Sequence, residues 1–185
     1  CVRMVSNLIK EVENQPSKIE LKYLLNTTSD NIITPHGGQL VQQLIHENSE
    51  NYNSDLPIIA VNQKIQSDVI QIANGTYSPL DRFMDHNELD LVSNKSKLRD
   101  EIDWPMPILF QIDEDQKKIA INKERIILKC SNTDQIFGMV EINKIERLKN
   151  INKTAKDWFG TNDGKHPGVK EFIKSGNWIL SGKPF

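Results

Sequence analysis

At 185 residues, with 37% hydrophobic and 26% charged side chains and a net charge of −2, the composition is that of one soluble globular domain with a core sufficient to fold without disulfides. The slightly negative balance argues against a dedicated nucleic-acid surface, because phosphate neutralisation needs clustered Lys and Arg. No run approaches the ~18 consecutive apolar residues of a membrane span. The opening "CVRMVSNLIKEVEN" is charged and amphipathic rather than a secretory h-region, so a cytoplasmic location is expected.

In chain order, Val5, Leu8, Ile9 and Val12 have helical spacing until Pro16 breaks it. "KIELKYLLN" and "QLVQQLIHE" each read as strand or helix, while "NTTSDN", "TPHGG" and "NSENYNSD" read as loop. In "SDVIQIANG", Ser67 or Asp68 is expected to cap a short helix. Ile65, Val69 and Ile72 form its apolar face, and Gly75 is its left-handed stop. Pro79 turns the chain, and "DHNELDLVS" carries a capping box between Asp85 and Glu88, with Leu89 and Val92 as the apolar stripe.

After Trp104, the runs "MPILFQID", "KIAIN", "RIILKC" and "IFGMVEINKIERL" are rich in Ile and Val, and "DEDQKK" and "SNTD" separate them. This texture predicts an antiparallel meander. "NKTAKDWFG" and "HPGVKEFIKSG" read as helices and "NWILSG" as a last strand, so the fold class is α+β.

Cys1 and Cys130 make no C-x-x-C pair, and Cys130 is expected to be a buried reduced thiol at the end of an apolar run. The glycine-rich stretch "FGTNDGKHPGVK" fails as a P-loop. Gly160 and Gly164 are too close, and His166 stands where a Ser or Thr would hold magnesium. A turn followed by a helix start accounts for it better, with Pro167 in the first turn, Val169, Phe172 and Ile173 as a buried stripe, and Gly176 as the close.

His36, His46, His86 and His166 lack the spacing of metal ligands, and no metal site is expected. By composition His36 and His166 could each act as a general base, but a histidine that pins loop backbone is the simpler reading. "HGG" at His36–Gly38 has no G-x-S-x-G elbow to serve, and Ser78 precedes Pro79, so the pattern argues against a serine hydrolase. Asp113 with Asp115, and Asp100 with Asp103, read as solvated turn acids. Trp104, Trp158 and Trp178 read as core aromatics, so the residues alone yield no catalytic set.

Four stretches occur in order: "PHGGQL", "ANGTYSPLDRFM", "WPMPILFQI" and "FGTNDGKHPGVK", before the ending "GNWILSGKP". Together they resemble the amino-terminal domain of ATP sulfurylase (sulfate adenylyltransferase), whose patterns run H-G-G-x-L, G-x-x-S-P-L-x-G-F-M, W-x-x-P-I and G-T-x-D-x-x-H-P-G-V. Arg82 departs from this, standing where the family has Gly.

The resemblance implies a PUA-like β-barrel of short, mostly antiparallel strands with flanking short helices over residues 29–185, after a helical or extended lead-in at 1–28. It implies a reaction of ATP with sulfate that gives adenosine 5′-phosphosulfate and pyrophosphate. The family's Q-x-R-N, H-x-x-H and G-R-D motifs are not in this sequence. The chain is therefore expected to be a non-catalytic accessory piece, inactive alone, holding no cofactor of its own.

ATP and Mg would belong to the complete enzyme. The partner would be the catalytic domain in cis, with a homo-oligomer as a further option. His36, Gly37, Gly38, Ser78, Pro79, Leu80, Phe83, Met84, Thr161, His166, Pro167 and Gly168 would then be structural or domain-interface residues. The alternative is a free-standing PUA-like module for RNA or a small ligand. The basic stretch Asn143–Lys156 would be its surface, though a solvated helix face explains that stretch more simply.

Overall fold

A computed structural model describes residues 33–43 and 55–185, and the compact unit in it runs from Pro35 to Phe185. The expectations for Val2–Glu13, "KIELKYLLN", "NTTSDN", His46, most of "NSENYNSD" and the second half of "QLVQQLIHE" lie outside the described residues. Gln39–Gln43 carry no helix or strand.

Five strands form one sheet in the order β1-β3-β4-β5-β2: β1 Ile58–Val61, β2 Phe110–Ile112, β3 Arg125–Cys130, β4 Ile136–Arg147 and β5 Trp178–Pro184. β3–β4, β4–β5 and β5–β2 are antiparallel, while β1 lies parallel to β3 with Ile59 opposite Leu128. The α+β class and the mostly antiparallel strands hold, but the sheet is mixed and is not a simple meander. Only β3 and β4 are joined by the expected tight turn, at "SNTD".

The helices are α1 Gln63–Ala73, α2 His86–Lys95, α3 Glu114–Ala120, α4 Ile151–Phe159 and α5 Pro167–Lys174. Helix α1 starts earlier than its sequence suggests. Asn62, not Ser67 or Asp68, caps it by accepting from Ile65 N–H at 3.0 Å, which leaves Asp68 inside the helix and buried. Ile65, Val69 and Ile72 are its buried face as expected, and Gly75 follows with φ +85°. On α2 both halves of the expected box are present. Asp85 accepts from Glu88 N–H at 2.9 Å and Glu88 accepts from Asp85 N–H at 3.0 Å.

"DEDQKK" is not a turn and "KIAIN" is not a strand. Asp113 and Gln116 make a second capping box, and the segment continues as α3. Asp113 is thus a helix cap and Asp115 a first-turn residue, not a pair of turn acids. The basic stretch Asn143–Lys156 is not one helix face either, since Asn143–Arg147 belong to β4 and only Ile151 onward is helical.

The core lies between the sheet and the helices. Ile59, Leu128, Val140 and Leu180 of the strands meet Val69 and Ile72 of α1, Leu89 of α2, and Val169 and Phe172 of α5. Ile173 points away and is 40% exposed, so the stripe of α5 is Val169 and Phe172 alone. Cys130 is a buried free thiol, as expected. Trp104 is buried, and Trp158 and Trp178 pack partly buried against the core.

The turn after α5 needs a glycine. Gly176 sits at φ +115°, and a Cβ there would lie 2.3 Å from the Ile112 carbonyl oxygen.

Candidate functional site

The first three sequence stretches meet at one corner. His36 opens a short 3₁₀ turn, and its Nε2–H donates to the Asp103 carbonyl at 2.7 Å, tying that turn to a loop 67 residues away. Gly37 follows at φ +72°, so close to the Pro79 ring that a Cβ would come within 2.8 Å of Cγ. Gly38 N–H closes the turn on the Pro35 carbonyl at 2.8 Å.

Ser78, buried, donates its hydroxyl to the Gly75 carbonyl at 2.6 Å and accepts from Val41 N–H at 2.9 Å. The Ser78–Pro79 peptide is cis. Leu80, Phe83 and Met84 are buried. Phe83 joins β5 through its N–H to Gly182 at 2.9 Å, and its carbonyl accepts from Ser181 Oγ at 2.9 Å. Met84 N–H reaches the Ile108 carbonyl at 3.1 Å. In each case the side chain or backbone group fixes a loop to its neighbour.

Thr161, His166, Pro167 and Gly168 form a separate corner. His166 is the N-cap of α5, its Nδ1 accepting from Val169 N–H at 3.4 Å, and Pro167 occupies the first turn. Gly168 lies under the Phe159 ring, where a Cβ would sit 2.7 Å from Cε1. The Phe159 ring also stacks on Trp158, with centroids 4.4 Å apart.

The loop before α5 does not fit a triphosphate. Asp163 N–H donates to Thr161 Oγ1 at 3.1 Å, Lys165 N–H to Asp163 Oδ1 at 2.9 Å, and His166 N–H to the Asp163 carbonyl at 2.9 Å. Those amides are already engaged within the loop, so they do not form a phosphate cradle. Among the described residues no group of three or more His, Cys, Asp or Glu is placed to hold a metal ion.

Two open cavities border the first corner. One, of about 540 Å³, is walled by His36, Thr76, Ser78, Asp103, Trp104 and Pro105. The other, of about 550 Å³, lies beside Gln39–Gln43 and is lined by Arg82, Arg99, Glu88 and Lys183 among others. The sequence gives little warning of its charge network.

The buried Glu88 Oε1 accepts from Arg82 Nη2 at 2.8 Å and Arg99 Nε at 3.2 Å. Arg82 Nη1 also reaches Asp81 at 2.8 Å, and Arg99 Nη2 reaches Asp85 at 2.6 Å. Burial pushes the Asp85 carboxyl up, but the Glu88 N–H and the Arg99 guanidinium outweigh it and hold Asp85 below the usual carboxylate range. The one readable signal was Glu88 of the capping box. Arg82, the departure from the resembled pattern, is the residue that completes the network.

A mixed sheet with short flanking helices, its loops pinned by the buried Ser78 and by hydrogen bonds from His36 and to His166, defines an α+β domain. The family model described as "PUA-like domain" matches residues 33–183, and the chain belongs to that family. Among characterised proteins it is 30% identical over 161 residues to a sulfate adenylyltransferase of Entamoeba histolytica, covering 83% of this chain and 38% of that protein. It is 31% identical over 157 residues to one from Persephonella marina, covering 82% and 40%. With one from Synechocystis it shares 28% over 160 residues, covering 84% and 40%.

The chain thus spans about two-fifths of the length of these relatives. A solved structure, the hexameric APS kinase from Thiobacillus denitrificans, superposes with a TM-score of 0.57 at 21% identity, over 83% of this chain and 26% of that one, which is a likeness of fold. Among the described residues no helix is long and apolar enough to cross a membrane.

Proposed function

We propose that this chain is the non-catalytic accessory domain of a sulfate adenylyltransferase, an enzyme joining ATP and sulfate into adenosine 5′-phosphosulfate and pyrophosphate. The observation that carries the reading is the recurrent match to sulfate adenylyltransferases over four-fifths of this chain but only two-fifths of theirs. The geometry supports the same view, because both motif histidines hold backbone: His36 through the Asp103 carbonyl and His166 through the Val169 N–H.

The chemistry would lie in a catalytic domain of the same polypeptide, with ATP and Mg bound there. Positive charge and metal around the phosphates are what such a reaction requires. The role of this domain is to present a rigid, loop-pinned surface to that partner.

The test is sulfate-dependent exchange of pyrophosphate into ATP. The polypeptide from the complete reading frame is expected to catalyse it in the presence of Mg, and residues 1–185 alone are not. Exchange by the 185-residue chain would overturn the accessory role. A complete product that shows none would overturn the sulfate adenylyltransferase reading.

A further inference from the structure

Two peptide bonds in this chain are chemically fragile by sequence. Asn74–Gly75 is the one Asn–Gly, and Asp163–Gly164 the one Asp–Gly. In an unconstrained peptide the glycine nitrogen attacks the preceding side-chain carbonyl carbon to close a succinimide. Asn–Gly reacts faster, since its side chain is a neutral amide, whereas the Asp carboxyl is almost wholly ionised at neutral pH and a carboxylate resists attack. We infer that the fold reverses this order, shielding Asn74 and leaving Asp163 the faster of the two to form isoaspartate spontaneously in the native protein.

The two sites differ at the attacking atom. Gly75 N–H donates to the Ile72 carbonyl at 3.2 Å at the end of α1. Gly75 is buried, and a Cβ built on it would be 2.5 Å from the Val41 carbonyl oxygen and 2.8 Å from Leu40 Cδ1. The Asn74 Oδ1 is held at the same time by Thr76 N–H at 2.9 Å and Thr76 Oγ1 at 2.7 Å. Turning the Gly75 nitrogen onto Asn74 Cγ would break its bond to the Ile72 carbonyl and push against the segment Leu40–Val41.

Gly164 is the opposite case. It is exposed, no atom lies within 4 Å of where a Cβ would be, and its N–H has no partner among the described residues. Asp163 is exposed too, and like Asn74 its side chain accepts from the N–H two residues on, here Lys165 at 2.9 Å, so the two sites differ at the glycine nitrogen and its surroundings rather than at this bond. The Gly164 nitrogen thus gives up no hydrogen bond among the described residues when it turns, and no packed atom stands in its way.

The chemistry balances without an added reagent. The Gly164 nitrogen gives its proton to solvent and bonds to Cγ of the protonated Asp163 carboxyl, and the hydroxyl takes a proton back from solvent and leaves as water. Water then opens the ring at either carbonyl, returning aspartate or giving isoaspartate, with no redox change. Isoaspartate routes the main chain through Cβ, which dismantles the turn whose Asp163 carbonyl holds His166 N–H just before α5. This inference does not depend on the enzymatic reading.

Purified 185-residue chain would be aged for weeks at neutral pH, native or in urea. Methyl transfer from S-adenosylmethionine by an isoaspartyl methyltransferase would count isoaspartate, and peptide mass spectrometry would locate it. In the native sample isoaspartate is expected to appear at 163 faster than Asn74 loses its amide, the opposite of the order in urea, with Asn74 at least about tenfold slower than in urea. Asp163→Glu, which would need a less favourable six-membered ring, is expected to abolish the isoaspartate signal in the peptide that carries position 163. Native conversion of Asn74 at the rate seen in urea, or a native chain free of isoaspartate at 163, would overturn the inference.

Discussion

Asp68 is a carboxyl buried within α1, three residues past the Ile65 N–H that Asn62 caps. As an N-cap it would face solvent; inside α1 it is 7% exposed, with Oδ1 accepting from the Tyr77 hydroxyl at 3.3 Å and Oδ2 buried without a partner. Burial raises its carboxyl above the ordinary aspartate range, with Lys64 and the Tyr77 hydroxyl only partly opposing.

A folded state that holds this proton more tightly than the unfolded chain loses stability as pH rises from about 3.8 through the raised value. Asp68→Asn keeps the acceptor for Tyr77 and removes the charge. It is expected to raise stability by about 1 kcal/mol at neutral pH, with the advantage fading below the unfolded carboxyl's range. Urea melts of both proteins across acid and neutral pH would check this, and equal midpoints at neutral pH would count against it.

Elements were legible where two independent signals agreed. Helix α2 had a capping box and an apolar stripe, and α5 had Pro167 and the pair Val169 and Phe172; both stand where the sequence placed them. Helix α3 had the same box chemistry in Asp113 and Gln116, but its apolar residues alternate as in a strand, with Ile119 and Ile121 each 42% exposed. With so short a helix, the cap carries more of the decision than the pattern does. Of the candidate site, the pinned glycines and histidines were readable, while the Arg82–Glu88–Arg99 cluster was not, because it joins residues brought together only by the fold.

The α3 correction has a direct consequence. Gln116 both closes the box on Asp113 N–H at 3.1 Å and donates to the Ala60 carbonyl at 2.9 Å, so the cap also ties α3 to the outer edge of β1. Asp113→Ala is expected to cost about 1 kcal/mol, and amide exchange should quicken in both Glu114–Ala120 and Ile58–Val61. If only the helix amides respond, the bridge to β1 is not a working contact.

At the scale of the molecule the organising element is the last one in sequence. β5 lies between β4 and β2, and beyond β2 its Gly182 also meets Phe83 of the pinned corner, so the site loops, both sheet halves and the chain's end depend on it. Leu180, fully buried, is opposite Phe110 on one side and Ile145 on the other. Leu180→Ala removes packing at this crossing and is expected to cost about 3 kcal/mol, lowering Tm by roughly 10 °C for a domain of this size.

Because the β1–β3 ladder and the Phe83 corner both reach the core through β4 and β5, the loss should be cooperative. Circular dichroism and Trp fluorescence should then shift together, and exchange should accelerate in β3 as well as in β5. If amides in Arg125–Cys130 keep their protection while Trp178–Pro184 lose theirs, the sheet is two separable halves and β5 does not join them. In that case the pinned corner would also survive the substitution, with the Phe83 N–H still slow to exchange.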